Sequence, residues 1–163
     1  LIGLMEQANC VVKQALWSNP FTKGPVQSAG YILNAGSEQF IQDCVHKLQQ
    51  DHAASLLIFP EGTRTAKGEQ LNDFQRGAAN IALRAGVPIR PVLISCTPST
   101  LTKNEKWYHI PEQPFHIHVK VLDAIRVEDV LDDVTVNPKN VRQLNQQLQW
   151  FFNQELSVNE QSC

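Results

Sequence analysis

Short apolar runs alternate along this chain with longer segments of helical periodicity. The apolar runs predict strands at 10–12, 30–34, 56–59, 87–94 and 115–122. Apolar residues spaced three or four positions apart predict amphipathic helices at 37–50, 72–85 and 137–152. Together these elements indicate an α/β protein.

Residues at the predicted helix ends support these assignments. Ser37 is a candidate N-cap for the first helix, and Asn72 or Asp73 for the second. Gly86 is in the position where a glycine commonly ends a helix. The third helix would begin at the pair Asn137-Pro138, since proline is favoured in the first turn.

The last predicted strand, at 115–122, alternates with period two. We expect Ile117, Val119 and Val121 to point inward, with His116 and His118 on the outer, solvated face. Two histidines can hold a metal ion, but no third ligand is evident beside them. No metal site is therefore predicted here.

Length, charge and cysteine content narrow the class of protein. With 163 residues and no stretch that resembles a linker, we expect a single domain over 1–163. The net charge of −2 argues against a general nucleic-acid binder. The scattered cysteines form no C-x-x-C pair, so we expect reduced thiols without a catalytic role (Cys10, Cys44, Cys96 and Cys163).

The apolar runs also bear on membrane insertion and on completeness. None approaches the roughly 18–20 apolar residues that a transmembrane helix needs, so the chain as given is expected to be soluble. It begins at Leu1 rather than at a methionine and enters directly on an apolar phrase that runs to Met5. We therefore expect a chain that is truncated at the N-terminus.

The most informative stretch follows the apolar run 56–59. Its four apolar residues suit a central strand of an α/β sheet. Pro60 cannot donate a hydrogen bond to a neighbouring strand, so strand pairing should end there and the chain should open into a site. A carboxylate, a glycine, a hydroxyl and a guanidinium come next: Glu61, Gly62, Thr63 and Arg64. Glycine permits a positive φ, and the polar side chains favour an anion as the ligand. The alternative is a surface turn with an ion pair between Glu61 and Arg64.

The run F-P-E-G-T-R at 59–64 resembles the signature of the 1-acylglycerol-3-phosphate acyltransferase family of glycerolipid acyltransferases. The resemblance spans Lys13 to Ile94, and the Pro20-Phe21 pair stands where the family has Pro-Phe-Gly. It implies a single α/β domain with a mixed, largely parallel central sheet flanked by helices. It also implies an enzyme of phospholipid biosynthesis.

The implied reaction moves a fatty acyl group from acyl-ACP or acyl-CoA to a hydroxyl of a lysophospholipid such as 1-acylglycerol 3-phosphate. A histidine acts as general base and an aspartate orients it, with no metal or other cofactor. Both are expected upstream of Leu1, so this fragment should bind weakly and catalyse nothing. The full-length protein would work at the cytoplasmic face of a membrane, through an anchor outside this chain.

The resemblance also implies roles for residues of this chain. Arg64 would grip the acceptor phosphate bidentately, aided by Lys13 as a point charge and by Thr63. Glu61 would either bond acceptor hydroxyls or fix the loop by accepting from backbone N–H groups. Gly62 completes this substrate-binding set.

One departure from the family keeps other functions open. The family usually has a phosphate-binding arginine where this chain has Asn34. The alternatives are an acyltransferase for a different, non-phosphate acceptor and a non-catalytic module that binds lipid or anions.

A second H-x-x-x-x-D pattern lies at His46 and Asp51, on the helix that precedes the 56–59 strand. In the resembled family this motif precedes the lysine segment instead. Residues five apart on a regular helix diverge by about 140°. We therefore reject the pair as a catalytic dyad.

Overall fold

The computed structural model describes residues 8–13, 17–34, 36–51, 53–66, 71–100, 102 and 112–160. The chain falls into two compact units. The first comprises Leu1–Phe59 with Gly77–Val87, and the second comprises Pro60–Arg76 with Pro88–Cys163. The assignment of 1–163 to a single domain stays a prediction.

The first unit contains a parallel sheet of three strands, β1 (Ala8–Lys13), β2 (Ile32–Asn34) and β3 (Ser55–Leu57), in the order β2-β1-β3. Val11 pairs with Ile32, and Cys10 pairs with Leu57. The predicted α/β class with a largely parallel sheet is confirmed. In the described part of this sheet β1 is the middle strand, and the central position that the sequence suggested for β3 stays a prediction.

Among the described residues of this unit, three helices accompany the sheet: α1 (Pro20–Ser28), α2 (Glu38–Gln50) and α3 (Gly77–Ala85). Ser37 caps α2 as predicted, by accepting a hydrogen bond from the Phe40 N–H at 3.3 Å. Helix α1 was not predicted from the sequence. It begins where Asn19 accepts from the Phe21 N–H at 2.9 Å, and Pro20 occupies the first turn.

The buried side chains of the first unit form two clusters. Phe40, Ile41 and Cys44 of α2 pack with Ile81 of α3, and partly buried residues of the strands join them. Cys10 and Val12 of β1 pack with Val26 of α1. Because both clusters include β1 or its neighbours, the helices hold the sheet from their apolar faces.

The second unit contains an antiparallel pair of strands, β4 (Val92–Thr97) and β5 (His116–Val121), and a long helix, α4 (Pro138–Glu160). A short 3₁₀ helix spans Val127–Asp129. Ile89 pairs with Ile125 in an isolated bridge before β4 begins.

The burial predicted for β5 is wrong. Ile117, Val119 and Val121 are 59%, 47% and 58% exposed. Lys120, on the opposite face, forms a 3.1 Å ion pair with Glu155 of α4. Period-two alternation shows which residues share a face, but it does not show which face another element covers.

The N-terminus of α4 is held by side-chain caps. Asn137 accepts from the Asn140 N–H at 2.8 Å, which confirms the cap predicted at Asn137-Pro138. The buried Asn140 side chain donates to the Asp133 and Thr135 carbonyl oxygens at 2.8 and 2.9 Å. Hydrogen bonds from Thr135 hold the pKa of the Asp133 carboxyl below its usual range. The helix then buries Val141, Leu144 and Leu148.

Within the ranges that the structure describes, no helix combines the length and the hydropathy needed to cross a membrane.

Candidate functional site

The chain enters the predicted site at Pro60, three residues after the end of β3. The Pro60 carbonyl accepts a hydrogen bond from the Gln75 N–H at 2.8 Å. This bond closes the base of a segment that we call the 60–75 loop, of which residues 60–66 and 71–75 are described. Gly62 has a φ of 65°, as its position predicts. A Cβ at Gly62 would lie 3.5 Å from Gln75 Cγ, so backbone conformation rather than lack of space calls for glycine here.

Glu61 organises the inside of this loop. Its Oε2 atom accepts from the Thr65 hydroxyl at 3.0 Å, from the Asn72 backbone N–H at 2.8 Å and from the Asn72 side-chain amide at 2.8 Å. A carboxylate is acceptor-only and can receive several donors. These contacts agree with the loop-fixing alternative for Glu61, and its contact with substrate stays a prediction.

The same contacts correct the predicted start of the second helix. Asn72 was a candidate N-cap, but its side chain and its backbone N–H both bind Glu61. The Phe74 N–H donates to Gln149 Oε1 at 2.7 Å. Residues 71–75 therefore follow an irregular path, and α3 begins at Gly77 instead. Gly86, with a φ of 64°, follows the end of α3 as predicted.

Thr63 and Arg64 are exposed, in contrast to the half-buried Glu61. The Glu61 carboxylate thus faces the inside of the loop, while Thr63 and Arg64 are exposed residues of the same turn. A guanidinium offers five N–H donors in a planar fork that matches a phosphate or carboxylate. The exposed part of the loop can therefore bind an oxyanion.

Lys13, the remaining predicted site residue, belongs to the other unit. It is the last residue of β1 and pairs in register with Asn34 of β2. Its side chain lies outside the described part of the structure. Asn34 itself is exposed, and its Oδ1 accepts from the Gly36 N–H at 3.0 Å, a local turn contact.

The rejected pair His46 and Asp51 is not arranged as a dyad. His46 is exposed on α2, whereas Asp51 follows the helix in an extended conformation with φ −127° and ψ 103°. Asp51 Oδ1 accepts from the Ala53 N–H at 2.9 Å, so this carboxylate caps a local turn.

The described cysteines are wholly or partly buried. Cys10 and Cys44 are buried, and Cys96 is half-buried. Burial raises the pKa of the Cys10 thiol, and burial with the nearby Asp43 charge raises the pKa of Cys44 to about 11. Reactive thiols instead have lowered pKa values. The two buried thiols therefore act as small hydrophobic groups.

Sequence reasoning missed two residues that contact the loop. Asn145 and Gln149 of α4 form hydrogen bonds with backbone atoms of residues 72 and 74. Each directly follows a buried leucine, Leu144 or Leu148, so each lies beside the apolar stripe of the helix. Two amides four residues apart at the edge of that stripe were the available signal.

Comparison with known proteins identifies the family. The acyltransferase family model matches residues 5–95, which is more than half of the chain. The chain belongs to the acyltransferase family. The matched range includes the whole of F-P-E-G-T-R and Lys13, on which the resemblance rested.

Curated relatives support membership of the acyltransferase family. Mouse 1-acyl-sn-glycerol-3-phosphate acyltransferase alpha is 36% identical over 86 residues, 52% of this chain and 29% of that protein. The Escherichia coli 1-acyl-sn-glycerol-3-phosphate acyltransferase is 46% identical over 50 residues, 31% of this chain and 20% of that protein. The chain thus spans less than a third of the length of these relatives.

A solved structure shares the acyltransferase fold. The 1-acyl-sn-glycerophosphate (LPA) acyltransferase PlsC from Thermotoga maritima matches 98% of this chain and 59% of its own length, with a TM-score of 0.72. Sequence identity is 18%, so this likeness supports the fold alone. The predicted glycerolipid acyltransferase-like fold is confirmed.

Proposed function

We propose that the full-length protein moves a fatty acyl group from a thioester to a hydroxyl of a lysophospholipid with a phosphate group, of the 1-acylglycerol 3-phosphate type. The observation that carries this proposal is the 60–75 loop. Hydrogen bonds close its base and hold Glu61 inside, while Thr63 and Arg64 are exposed. The names of the curated relatives support the same acceptor.

In the proposed reaction, Arg64 binds the acceptor phosphate through two parallel N–H donors, and Thr63 adds a hydroxyl or backbone donor. Lys13 contributes a point charge. A histidine, oriented by an aspartate and both expected upstream of Leu1, takes the proton of the acceptor hydroxyl. The new C–O bond forms at the thioester carbonyl, and the C–S bond breaks. The departing thiolate takes the proton back from the histidine and leaves as a free thiol, so the base is restored.

We propose that the reaction takes place at a membrane surface and uses an acyl thioester as donor. Lysophospholipids partition into bilayers, so the acceptor is presented at a membrane surface, and we place the enzyme at its cytoplasmic face. The donor is a thioester of coenzyme A or of acyl carrier protein.

Transfer to an acceptor without phosphate is the second candidate. It is favoured by Asn34, which stands where the family usually has an arginine and whose side chain is used in a local turn. Without that arginine, fewer charged donors are available for a phosphate.

An acceptor panel tests the proposal. The full-length protein is incubated with acyl-CoA or acyl-ACP and either 1-acylglycerol 3-phosphate or a monoacylglycerol, and thiol release is measured. Charge-assisted hydrogen bonds of about 1.5–3 kcal/mol predict a kcat/KM about ten- to a hundredfold higher for the phosphate acceptor. Equal values for the two acceptors would support the second candidate. Absence of transfer to either would favour a non-catalytic module that binds lipid or anions.

A further inference from the structure

Helix α4 contacts the 60–75 loop through two amide side chains. Gln149 Oε1 accepts from the Phe74 N–H at 2.7 Å, and Gln149 Nε2 donates to the Asn72 carbonyl at 3.2 Å. Asn145 Nδ2 donates to the Phe74 carbonyl at 3.1 Å. We call this set of contacts the α4 clamp.

The α4 clamp specifies the orientation of the Gln149 amide. Its oxygen faces a backbone donor and its nitrogen faces a backbone acceptor. A flipped amide would place donor against donor and acceptor against acceptor. Gln149 therefore binds the segment at two points, as a neighbouring strand would.

Aromatic packing reinforces the same attachment. The Phe74 ring is 7% exposed and meets Phe152 of α4 edge-to-face, with ring centroids 5.2 Å apart. Backbone and side chain of Phe74 are thus both held by one helix. Since α4 is 23 residues long and capped at its N-terminus, it is a rigid support.

The α4 clamp connects through Asn72 and Glu61 to the turn that carries Arg64. The carbonyl of Asn72 is bound by Gln149, while its N–H and side-chain amide bind Glu61. Glu61 precedes Arg64 by three residues in the same turn. Loss of the Gln149 contacts would loosen Asn72, then Glu61, and with it the backbone that carries Thr63 and Arg64.

We infer that Gln149 and Asn145 are positioning residues for acceptor binding, acting through Asn72 and Glu61 on the Thr63-Arg64 turn. This inference rests on the proposed function, since it assigns the turn to the acceptor phosphate. Neither residue touches the substrate. They restrict the turn to fewer conformations before the acceptor binds, so less conformational entropy is lost on binding.

The test uses Gln149→Glu in the full-length protein, with Gln147→Glu as the matched control. Gln147 is exposed on the same helix, so the control makes the same chemical change away from the loop. A glutamate at 149 has no donor for the Asn72 carbonyl. Two properties are measured: steady-state kinetics for each substrate and amide exchange of residues 60–75.

We expect Gln149→Glu to raise the KM for 1-acylglycerol 3-phosphate about tenfold, equivalent to about 1.4 kcal/mol. The KM for the acyl donor and kcat should change less than about threefold, because only acceptor binding is weakened. Amide exchange in 60–75 should become faster. Gln147→Glu should match the unchanged protein in both measurements.

Unchanged amide exchange in the Gln149→Glu protein, or faster exchange with an unchanged acceptor KM, would overturn the inference. If this variant does not fold, Gln149→Met with the control Gln147→Met provides the same comparison without an added charge. Failure of the proposed function looks different, since the unchanged protein would then show no transfer to 1-acylglycerol 3-phosphate, or no preference for it over a monoacylglycerol. Amide exchange alone would still decide whether the α4 clamp holds the loop.

Discussion

At the scale of single residues, Gly62 determines how the chain turns after Pro60. Its φ of 65° lies in the left-handed region, and a Cβ there would meet only Gln75 Cγ at an ordinary contact distance of 3.5 Å. Gly62→Ala should therefore destabilise the fold by about 1–2 kcal/mol through backbone strain alone. Denaturant unfolding measures this difference.

Gly77→Ala is the control for that prediction. Gly77 is the first residue of α3 and has no positive φ, and apart from its chain neighbours and its own helix backbone a Cβ there would meet no atom within 4 Å. Alanine in a helix is favoured over glycine by about 0.5–1 kcal/mol, so this variant should be neutral or stabilised. Equal destabilisation by both substitutions would contradict the strain explanation.

At the scale of elements, the sequence predicted strands and helices well where local signals determine them. The caps at Ser37 and Asn137 and the end of α3 at Gly86 follow from residue chemistry within a few positions. The start of α3 and the exposed face of β5 depend on contacts from elsewhere in the chain. Asn72 could not be recognised as a partner of Glu61 because eleven residues separate them.

In the candidate site too, the features set by local residue types were predictable, whereas those set by distant contacts were not. F-P-E-G-T-R was recognisable because its residue types and order are specific, and the positive φ of Gly62 followed from its identity. The inward orientation of Glu61 was not predictable, because its partner Asn72 lies eleven positions away. The amides at 145 and 149 gave only a weak signal for the support from α4, since amides are common on solvated helix faces. Long-range hydrogen bonds leave little signal in one sequence.

The Asn137 cap at the N-terminus of α4 should contribute to the stability of the fold. Asn137→Ala removes the acceptor for the Asn140 N–H, a contact of 2.8 Å. We expect a loss of about 1 kcal/mol in the free energy of unfolding, measured by chemical denaturation. The control Asn153→Ala, at an exposed position within the helix, should be neutral or slightly stabilised. A similar loss in both variants would show that the cap contributes nothing.

At the scale of the whole molecule, membership of the acyltransferase family and the loop geometry support one account. The fold supplies a loop whose base is fixed by backbone pairing, by Glu61 and by α4. Its exposed turn carries Thr63 and Arg64. The proposal made for the full-length protein assigns this turn to the acceptor phosphate.

The most direct test of this account compares Arg64→Ala with Arg142→Ala in the full-length protein. Arg142 is exposed on α4 and controls for loss of one positive charge. We predict that Arg64→Ala lowers kcat/KM for 1-acylglycerol 3-phosphate about ten- to a hundredfold, the value of one or two charge-assisted hydrogen bonds. Arg64→Lys should recover only part, since lysine lacks the bidentate fork. Equal, small effects of Arg64→Ala and Arg142→Ala would contradict the account and leave Glu61 to Arg64 as a structural turn.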